Sequence, residues 1–432
     1  MAKYDMGDQT SLMFDKILAC DYHTLLSEQE MQGLSELYRF EKGVIDRICH
    51  MGYESDTSDI EKVVDYIVNK CKEHRVDLSR QTIKNWFDDI NPNVPEDKKN
   101  GAPTDSEQSR PNVYKLCFAL EMTAEETEEF FLKNYMCMPF NYKNTYEAVF
   151  YFCLHTGRSY ETALKLLQEA DAFENEKQTK SSENEDARLG ETRVLGIALA
   201  EIFTEEDFIN YLQAHIYNKQ DLYYTATRTI FGDRDDSGEL ITSKYGVVKD
   251  EGLLSRCKTI AAEELKLRGS TVSVKLIRGL DPLLYAIYGY DKRELDREKK
   301  PGLSKESAFP KLIKKNFPHR QHFSQIEKKT ATADIYKKVL TILCFYEFYG
   351  KLTNEALRNG NEENIDLYRE ADSFEIYLDE LLDRCGFVQV YYQNPFDWLI
   401  MYCANTADPL GTFRKLIKKY YLDIIGEESF YE

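Results

Sequence analysis

Two short segments of the chain carry side chains suited to contacting nucleic acid. Residues 80–86 read RQTIKNW and residues 320–326 read RQHFSQI, so both follow the pattern Arg-Gln-x-apolar-polar-polar-apolar. The two apolar positions lie three residues apart and would anchor one face of a short helix. The polar side chains would then point away from that face, where they could donate hydrogen bonds to phosphates and base edges.

The elements around the first segment are those needed to hold it in place. Asp59 is a suitable N-cap for a helix whose apolar residues, from Ile60 to Cys71, fall on one face. A short turn at 76–78 follows, and Ser79 caps the next helix, which we expect to run through Phe87. We expect Ile83 and Trp86 to be buried and four residues to face outward: Arg80, Gln81, Lys84 and Asn85.

Residues 55–135 resemble the helix-turn-helix domains of phage-repressor-like regulators, because the phrase LSRQTIKNW at 78–86 looks like the start of their recognition helix. The resemblance implies that the four outward residues face DNA. One departure is that Asp88 and Asp89 follow directly, and residues 59–90 hold six basic against seven acidic side chains. Use of this motif for packing or for a protein partner therefore stays open beside DNA binding.

The second segment lies in the basic zone, residues 292–338. This zone holds fourteen Lys and Arg and six Asp and Glu, so its net charge is 14 − 6 = +8 within a chain of formal charge −19. Such asymmetry is typical of a surface for a polyanion or an acidic partner. The alternative is a basic face that pairs with acidic helices of the same chain. The candidate DNA contacts here are Lys314, Lys315, Arg320, Gln321, Lys328 and Lys329.

The bulk composition limits the function classes. A charge of −19 opposes indiscriminate coating of nucleic acid, so any DNA contact must use a local basic patch. The ten cysteines are scattered, as expected for buried free thiols in a reducing compartment. We see no signal segment and no apolar run of the roughly 20 residues that span a bilayer, and we expect a cytoplasmic protein without a membrane partner.

The sequence gives little support for catalysis or for a cofactor. It has no Gly-rich phosphate-binding loop, no dinucleotide fingerprint and no zinc-protease motif. Residues 233–240 match the front half of a calcium-binding loop, but position 12 is Lys244 where a bidentate Glu is needed, which favours an acidic surface turn. His319 and His322 lack further ligands nearby in sequence. We therefore expect no catalytic residue, no metal and no cofactor.

Helical periodicity extends over nearly the whole chain and predicts an all-α protein. Residues 174–186 contain no apolar side chain, which predicts a linker or long loop at 171–191. We expect an N-terminal helical domain at 1–170, with the helix-turn-helix-like segment at 59–135. A larger C-terminal helical domain at 192–432 would carry the basic zone.

A wider resemblance rests on four segments: 80–83, 317–323, 345–349 and 394–399. With these, the chain looks like helix-turn-helix-containing helical proteins encoded on mobile elements of low-GC Gram-positive bacteria. This likeness implies a regulatory or phage-defence setting. The first hypothesis is a DNA-binding regulator or targeting subunit, bound to double-stranded DNA or another nucleic acid. The alternative is a non-catalytic acidic helical adaptor or sensor that binds a protein partner, and a helical nuclease is the least supported.

Overall fold

The computed structural model describes residues 40–91, 94–95, 103, 109–135, 137–178, 192–215, 222–233, 251–268, 279–289, 317–360, 366–392 and 394–422. Every regular element in these ranges is a helix, which confirms the all-α prediction. Among them, none combines the length and the apolar character needed to cross a bilayer. The described chain divides into two compact units between Tyr224 and Thr225.

Nine α-helices lie in the first unit, in the ranges that the structure describes. They are α1 Phe40–His50, α2 Ile60–Glu73, α3 Arg80–Trp86, α4 Arg110–Ala119, α5 Ala124–Phe130, α6 Thr145–His155, α7 Tyr160–Gln178, α8 Thr192–Ala200 and α9 Glu205–His215. A 3₁₀ turn follows α3 at Asp88–Ile90, and a π turn at Phe131–Tyr135 continues α5. Helix α2 packs against α3 and α4, and α6 packs against α5, α7 and α8.

Aromatic rings fill the centre of the first unit. Tyr114 stacks on Phe131 and Phe140, with ring centroids 4.7 and 5.4 Å apart. Beside them, the mostly buried Arg110 guanidinium, with its side chain 11% exposed, donates to Glu147 Oε1 over 2.7 Å and to the Met138 carbonyl oxygen over 2.6 Å. This ion pair joins the start of α4 to α6 and keeps both charges hydrogen-bonded within the core, as buried charges require.

The unit boundary differs from the predicted linker at 171–191. Helix α7 continues through residues 171–178, and residues 179–191 lie outside the described ranges. Leu195, Leu199 and Phe208 join the core of the first unit, and Phe208 stacks on Phe152 at 4.2 Å. The segment without apolar residues therefore interrupts one unit, because the helices on its two sides bury their apolar faces in the same core.

Eight α-helices lie in the described part of the second unit, counting one that begins at its border. They are α10 Tyr224–Phe231, α11 Gly252–Leu267, α12 Leu280–Tyr288, α13 Arg320–Glu327, α14 Ala333–Arg358, α15 Ala371–Arg384, α16 Pro395–Ala404 and α17 Pro409–Leu422. The 26-residue α14 is central and packs against α11, α13, α15, α16 and α17.

The buried carboxylates of Glu264, Glu347 and Asp397 in the second unit each have a cationic partner. Glu264 accepts from Arg414 over 2.7 and 2.9 Å, and Glu347 accepts from Arg256 over 2.7 Å. Asp397 accepts from the buried Lys337 over 2.5 Å. The guanidinium of Arg414 holds the pKa of Glu264 below its ordinary value, against the opposing effect of burial.

The chain's two tryptophans are divided between the units. Trp86 ends α3 in the first unit, and Trp398 lies on α16 in the second, where it stacks on Tyr402 at 5.3 Å. Both indoles are buried. Eight of the nine described cysteines are also buried free thiols, as expected, and Cys49 is exposed.

Candidate nucleic-acid interface

The scaffold of the candidate interface is the pair α2 and α3. The Asp59 carboxylate accepts from the Lys62 N–H and caps α2, and the apolar face of that helix is buried in the first unit. Ser79 Oγ accepts from the Thr82 N–H over 3.0 Å and caps α3. The caps lie where the sequence predicts them, because Asp and Ser satisfy the free N–H groups of a first turn.

A left-handed residue turns the chain between the two helices. Arg75 has φ +53°, and the Val76 N–H donates to the Cys71 carbonyl oxygen over 2.8 Å, so α2 closes in a Schellman-type turn. Glycine is the usual residue at such a position because it has no Cβ. Here the arginine side chain has a partner of its own, Glu161, at 2.9 Å.

The inner face of α3 is buried as predicted. Ile83 is fully buried and Trp86 is 5% exposed. The Trp86 ring meets the Phe40 ring of α1 edge to face, with centroids 5.4 Å apart. Asp88, which follows the helix, is also buried. Its carboxylate therefore does not lie on the outer surface, where it would oppose phosphate.

The outer face of α3 carries two cations, and both are paired with acids of α2. Arg80 Nη2 lies 2.9 Å from Glu61 Oε2 and 2.7 Å from Asp65 Oδ1, and Lys84 Nζ lies 2.5 Å from Glu61 Oε1. The side chains of Arg80 and Lys84 remain 44% and 35% exposed. The predicted outward face therefore exists, but its positive charge is balanced locally.

The pKa values of Glu61 and Arg80 are shifted by their partners on this face. Hydrogen bonds from Lys84 and then Arg80 lower the pKa of Glu61. Hydrogen bonds to Glu61 and then Asp65 raise the pKa of Arg80. Glu61 and Arg80 are therefore charged at neutral pH, and the cluster of two basic and two acidic side chains has a formal charge of zero.

The two amides of the outer face bond to each other. Gln81 Nε2 donates to Asn85 Oδ1 over 2.6 Å, one helical turn along. Because an amide group has both a donor end and an acceptor end, each side chain still has hydrogen-bonding capacity after this bond forms.

The second Arg-Gln segment forms α13, and its apolar positions Phe323 and Ile326 are buried. Arg320 and Gln321 are exposed at the start of the helix. Arg320 Nη1 lies 3.4 Å from Asp281 Oδ2. Lys328 and Lys329 are exposed just beyond its other end, and Lys329 has φ +57°. The candidate cations are thus split between the two ends of α13.

Other parts of the basic zone serve the fold of the second unit. Lys337 is buried against Asp397, and Lys338 pairs with Asp334 over 2.7 Å on the same helix. Lys314 and Lys315 lie outside the described residues. Arg320, Lys337 and Lys338 therefore pair with acids of this chain. For these three residues, the structure agrees with the alternative in which the basic zone pairs with acidic helices of the same chain.

Two groupings of metal-binding residue types occur in the described ranges. His322 Nδ1 accepts from the His319 N–H, and burial lowers the pKa of His322 to about 3, with help from His319 and Lys338.

Glu73, His74 and Glu121 place donor atoms within 4.8 Å of one another. The sequence does not indicate this second group, because Glu121 is distant in the chain. Lys70 Nζ lies 3.0 Å from Glu73 and 3.5 Å from Glu121, so both carboxylates already have a cationic partner.

Comparison with protein-family models, with curated proteins and with solved structures found no match for this chain.

Proposed function

We propose that the protein is a DNA-binding regulator or targeting subunit that contacts double-stranded DNA through the outer face of α3. One observation carries this proposal: Arg80, Gln81, Lys84 and Asn85 share the exposed face of a short helix whose opposite face is fixed by Ile83 and Trp86. A helix that follows a turn and presents donors in this way suits the major groove. The resemblance to helix-turn-helix proteins of mobile elements favours a regulatory or phage-defence setting.

The ion pairs with α2 set the strength of this binding. A phosphate that approaches Arg80 or Lys84 must compete with Glu61 and Asp65, which remain nearby as repelling charges. Exposed pairs of this kind contribute little to stability, so they can exchange partners. We therefore expect weak binding to arbitrary duplexes and dependence on a preferred site.

The test is an anisotropy titration of the full chain with a labelled duplex pool over a series of salt concentrations. Binding should weaken steeply with salt, because phosphate contacts release counterions. The Arg80→Gln/Lys84→Gln variant should bind less tightly, and its salt slope should fall by about 1 for each phosphate that it no longer neutralises. Lys165→Gln, which removes one exposed charge from α7, is the matched control and should behave as wild type.

A second candidate is an acidic adaptor that binds a protein partner. It is favoured by the same four charges, because a face whose cations are already balanced by Glu61 and Asp65 is suited to a partner less anionic than DNA. The titration separates the two functions. If neither the wild type nor Glu61→Gln binds duplex in a salt-dependent way, DNA binding by α3 is wrong and the adaptor is the better proposal.

The basic zone is left out of the proposed interface, since three of its five described cations, Arg320, Lys337 and Lys338, pair within the chain. Its contribution to DNA binding stays a prediction. Combined charge reversal of Lys314, Lys315 and Lys328 tests it, because a phosphate-binding zone requires a loss of DNA affinity that the α3 variants do not explain.

A further inference from the structure

We infer that the end of α8 and the turn into α9 form a docking surface for a cationic amphipathic segment of a partner protein. The inference does not depend on DNA binding, because the surface contains no residue of α3. It starts from Ile197 on α8 and Phe203 in the turn, whose side chains are 56% and 62% exposed. Single exposed apolar side chains are common, whereas a group of them in one region marks a contact site.

The exposed Phe203 is held in a fixed position. Arg158 Nη2 donates to the Phe203 carbonyl oxygen over 3.0 Å, and Thr204 Oγ1 caps α9 by accepting from the Asp207 N–H over 3.1 Å. The Phe203 ring lies against the His155 imidazole of α6, with ring centroids 5.3 Å apart. A partner that covers this ring therefore loses little free energy in ordering it, since the backbone and one side of the ring are already fixed.

The surroundings of the ring are acidic. Residues 201–207 hold four acids and no basic side chain, and Arg158, which pairs with Glu205 over 2.7 Å, leaves a local charge of 1 − 4 = −3. Glu125 of α5 adds a further carboxylate, because its Oε1 lies 3.7 Å from Nδ1 of the same His155 and its side chain is 73% exposed. Such a rim attracts Lys and Arg and repels phosphate, so neither DNA nor an anionic membrane suits this surface.

The chemistry of the occupant follows from the two parts of the surface. An aromatic anchor surrounded by charged groups is the arrangement found at the centre and rim of protein interfaces. Its complement is an apolar side chain flanked by Lys or Arg. An amphipathic helix with basic residues beside its apolar face supplies both at the required spacing.

An anisotropy titration of the full chain with a labelled Lys–Leu peptide, designed as a cationic amphipathic helix, tests the inference. The wild type should bind it more tightly than a peptide of equal charge in which Ser replaces Leu. Phe203→Ser should weaken binding about tenfold, the scale of an aromatic anchor. Glu201→Gln/Glu206→Gln should weaken binding at low salt only, because salt screens exposed charges. Leu164→Ser, which removes an exposed apolar side chain from α7, is the matched control and should bind as the wild type does.

Three results would overturn the inference: no peptide binding by the wild type, equal affinity for the two peptides, or equal losses in Phe203→Ser and Leu164→Ser. If light scattering shows a dimer that Phe203→Ser dissociates, a second copy of the chain covers the surface and the cationic partner is wrong. Arg80→Gln/Lys84→Gln should bind the peptide as the wild type does, so failure here leaves DNA binding by α3 standing. Circular dichroism verifies that each variant is folded.

Discussion

The ion pairs of the α3 face and those inside the second unit use the same side chains in opposite environments. Arg80 and Lys84 meet Glu61 and Asp65 at the surface, where all four side chains are between 35% and 61% exposed. Arg414 meets Glu264 where the two side chains are 17% and 6% exposed. Water screens the first group and is nearly absent from the second.

This difference separates a fixed role from an exchangeable one. A buried charge that loses its partner has no water to replace it, so removal of either Arg414 or Glu264 alone should destabilise the fold. An exposed ion pair contributes little to stability, so its opening changes the free energy of the protein only slightly. The α3 charges can therefore change partner when a ligand arrives, and the buried Arg414–Glu264 pair cannot.

The largest expected effect is on the anchor beneath the exposed pairs. Trp86→Ala should lower the stability of the first unit by roughly 3–5 kcal/mol, as for other buried large aromatics. The loss has its cause in the contact of the indole with Phe40 and its neighbours. Urea denaturation followed by circular dichroism measures it. A loss below about 1 kcal/mol would contradict the buried anchor, since surface substitutions stay within that range.

Removing one buried cation should have the next largest effect. Arg414→Met should destabilise the second unit by about 3 kcal/mol, because Glu264 stays buried with one partner fewer. Arg358→Met is the matched control. Arg358 lies on α14 and pairs with Glu263 of α11, the residue before Glu264 in the sequence. These two side chains are 53% and 36% exposed. The control should change stability by no more than about 0.5 kcal/mol, and equal losses in the two variants would remove the contrast.

Asp379 provides a smaller effect of opposite sign. Burial, together with Glu375 and Asp397, raises the pKa of Asp379 to about 6. Its ordinary value is about 3.9, so ionisation is costly in the folded state and stability falls as pH rises from about 4 through 6. Asp379→Asn should therefore raise the free energy of unfolding by about 1 kcal/mol at pH 7, after allowance for solvent screening. At pH 4 the same substitution should leave the free energy of unfolding unchanged. Denaturation at the two pH values measures this, and an equal change at both would refute the pKa shift.

The smallest effect on stability should come from an exposed acid. Glu61→Gln removes the carboxylate shared by Arg80 and Lys84. Stability should change by less than about 0.5 kcal/mol, whereas DNA affinity at low salt should rise several-fold. The two measurements together sharpen the contrast with Arg414. A large loss of stability would show that the α3 pairs are structural, and unchanged affinity would show that they do not restrain binding.

The local features of the candidate interface could be predicted from sequence, because they depend on short spacings. The caps at Asp59 and Ser79 and the burial of Ile83 and Trp86 follow from helical geometry within a few residues. The ion pair between Glu61 and Lys84 joins residues 23 positions apart. Such a pairing depends on how α2 crosses α3, and a count of charges does not reveal it.

The unit boundary and the basic zone were harder to predict for related reasons. A stretch without apolar residues indicates where the chain leaves a hydrophobic core, but it does not indicate whether the following residues pack in the same core. Leu195 and Leu199, which follow this stretch, are buried in the core of the first unit. Lys337 belongs to a basic zone in the sequence, yet the turn of α14 directs it to the buried Asp397. Charge along a sequence therefore overestimates the charge that reaches the surface.

Each unit contains one of the two tryptophans, so tryptophan fluorescence can be used to follow each unit separately. Trp398→Phe would leave Trp86 as the sole indole, so its emission would report on the first unit alone. The reciprocal substitution, Trp86→Phe, would isolate the second. Trp86 lies on the buried side of α3, opposite the outer face. Its fluorescence would therefore also respond to a ligand that binds to the outer face of this helix. The native chain thus carries its own probe for whatever binds there.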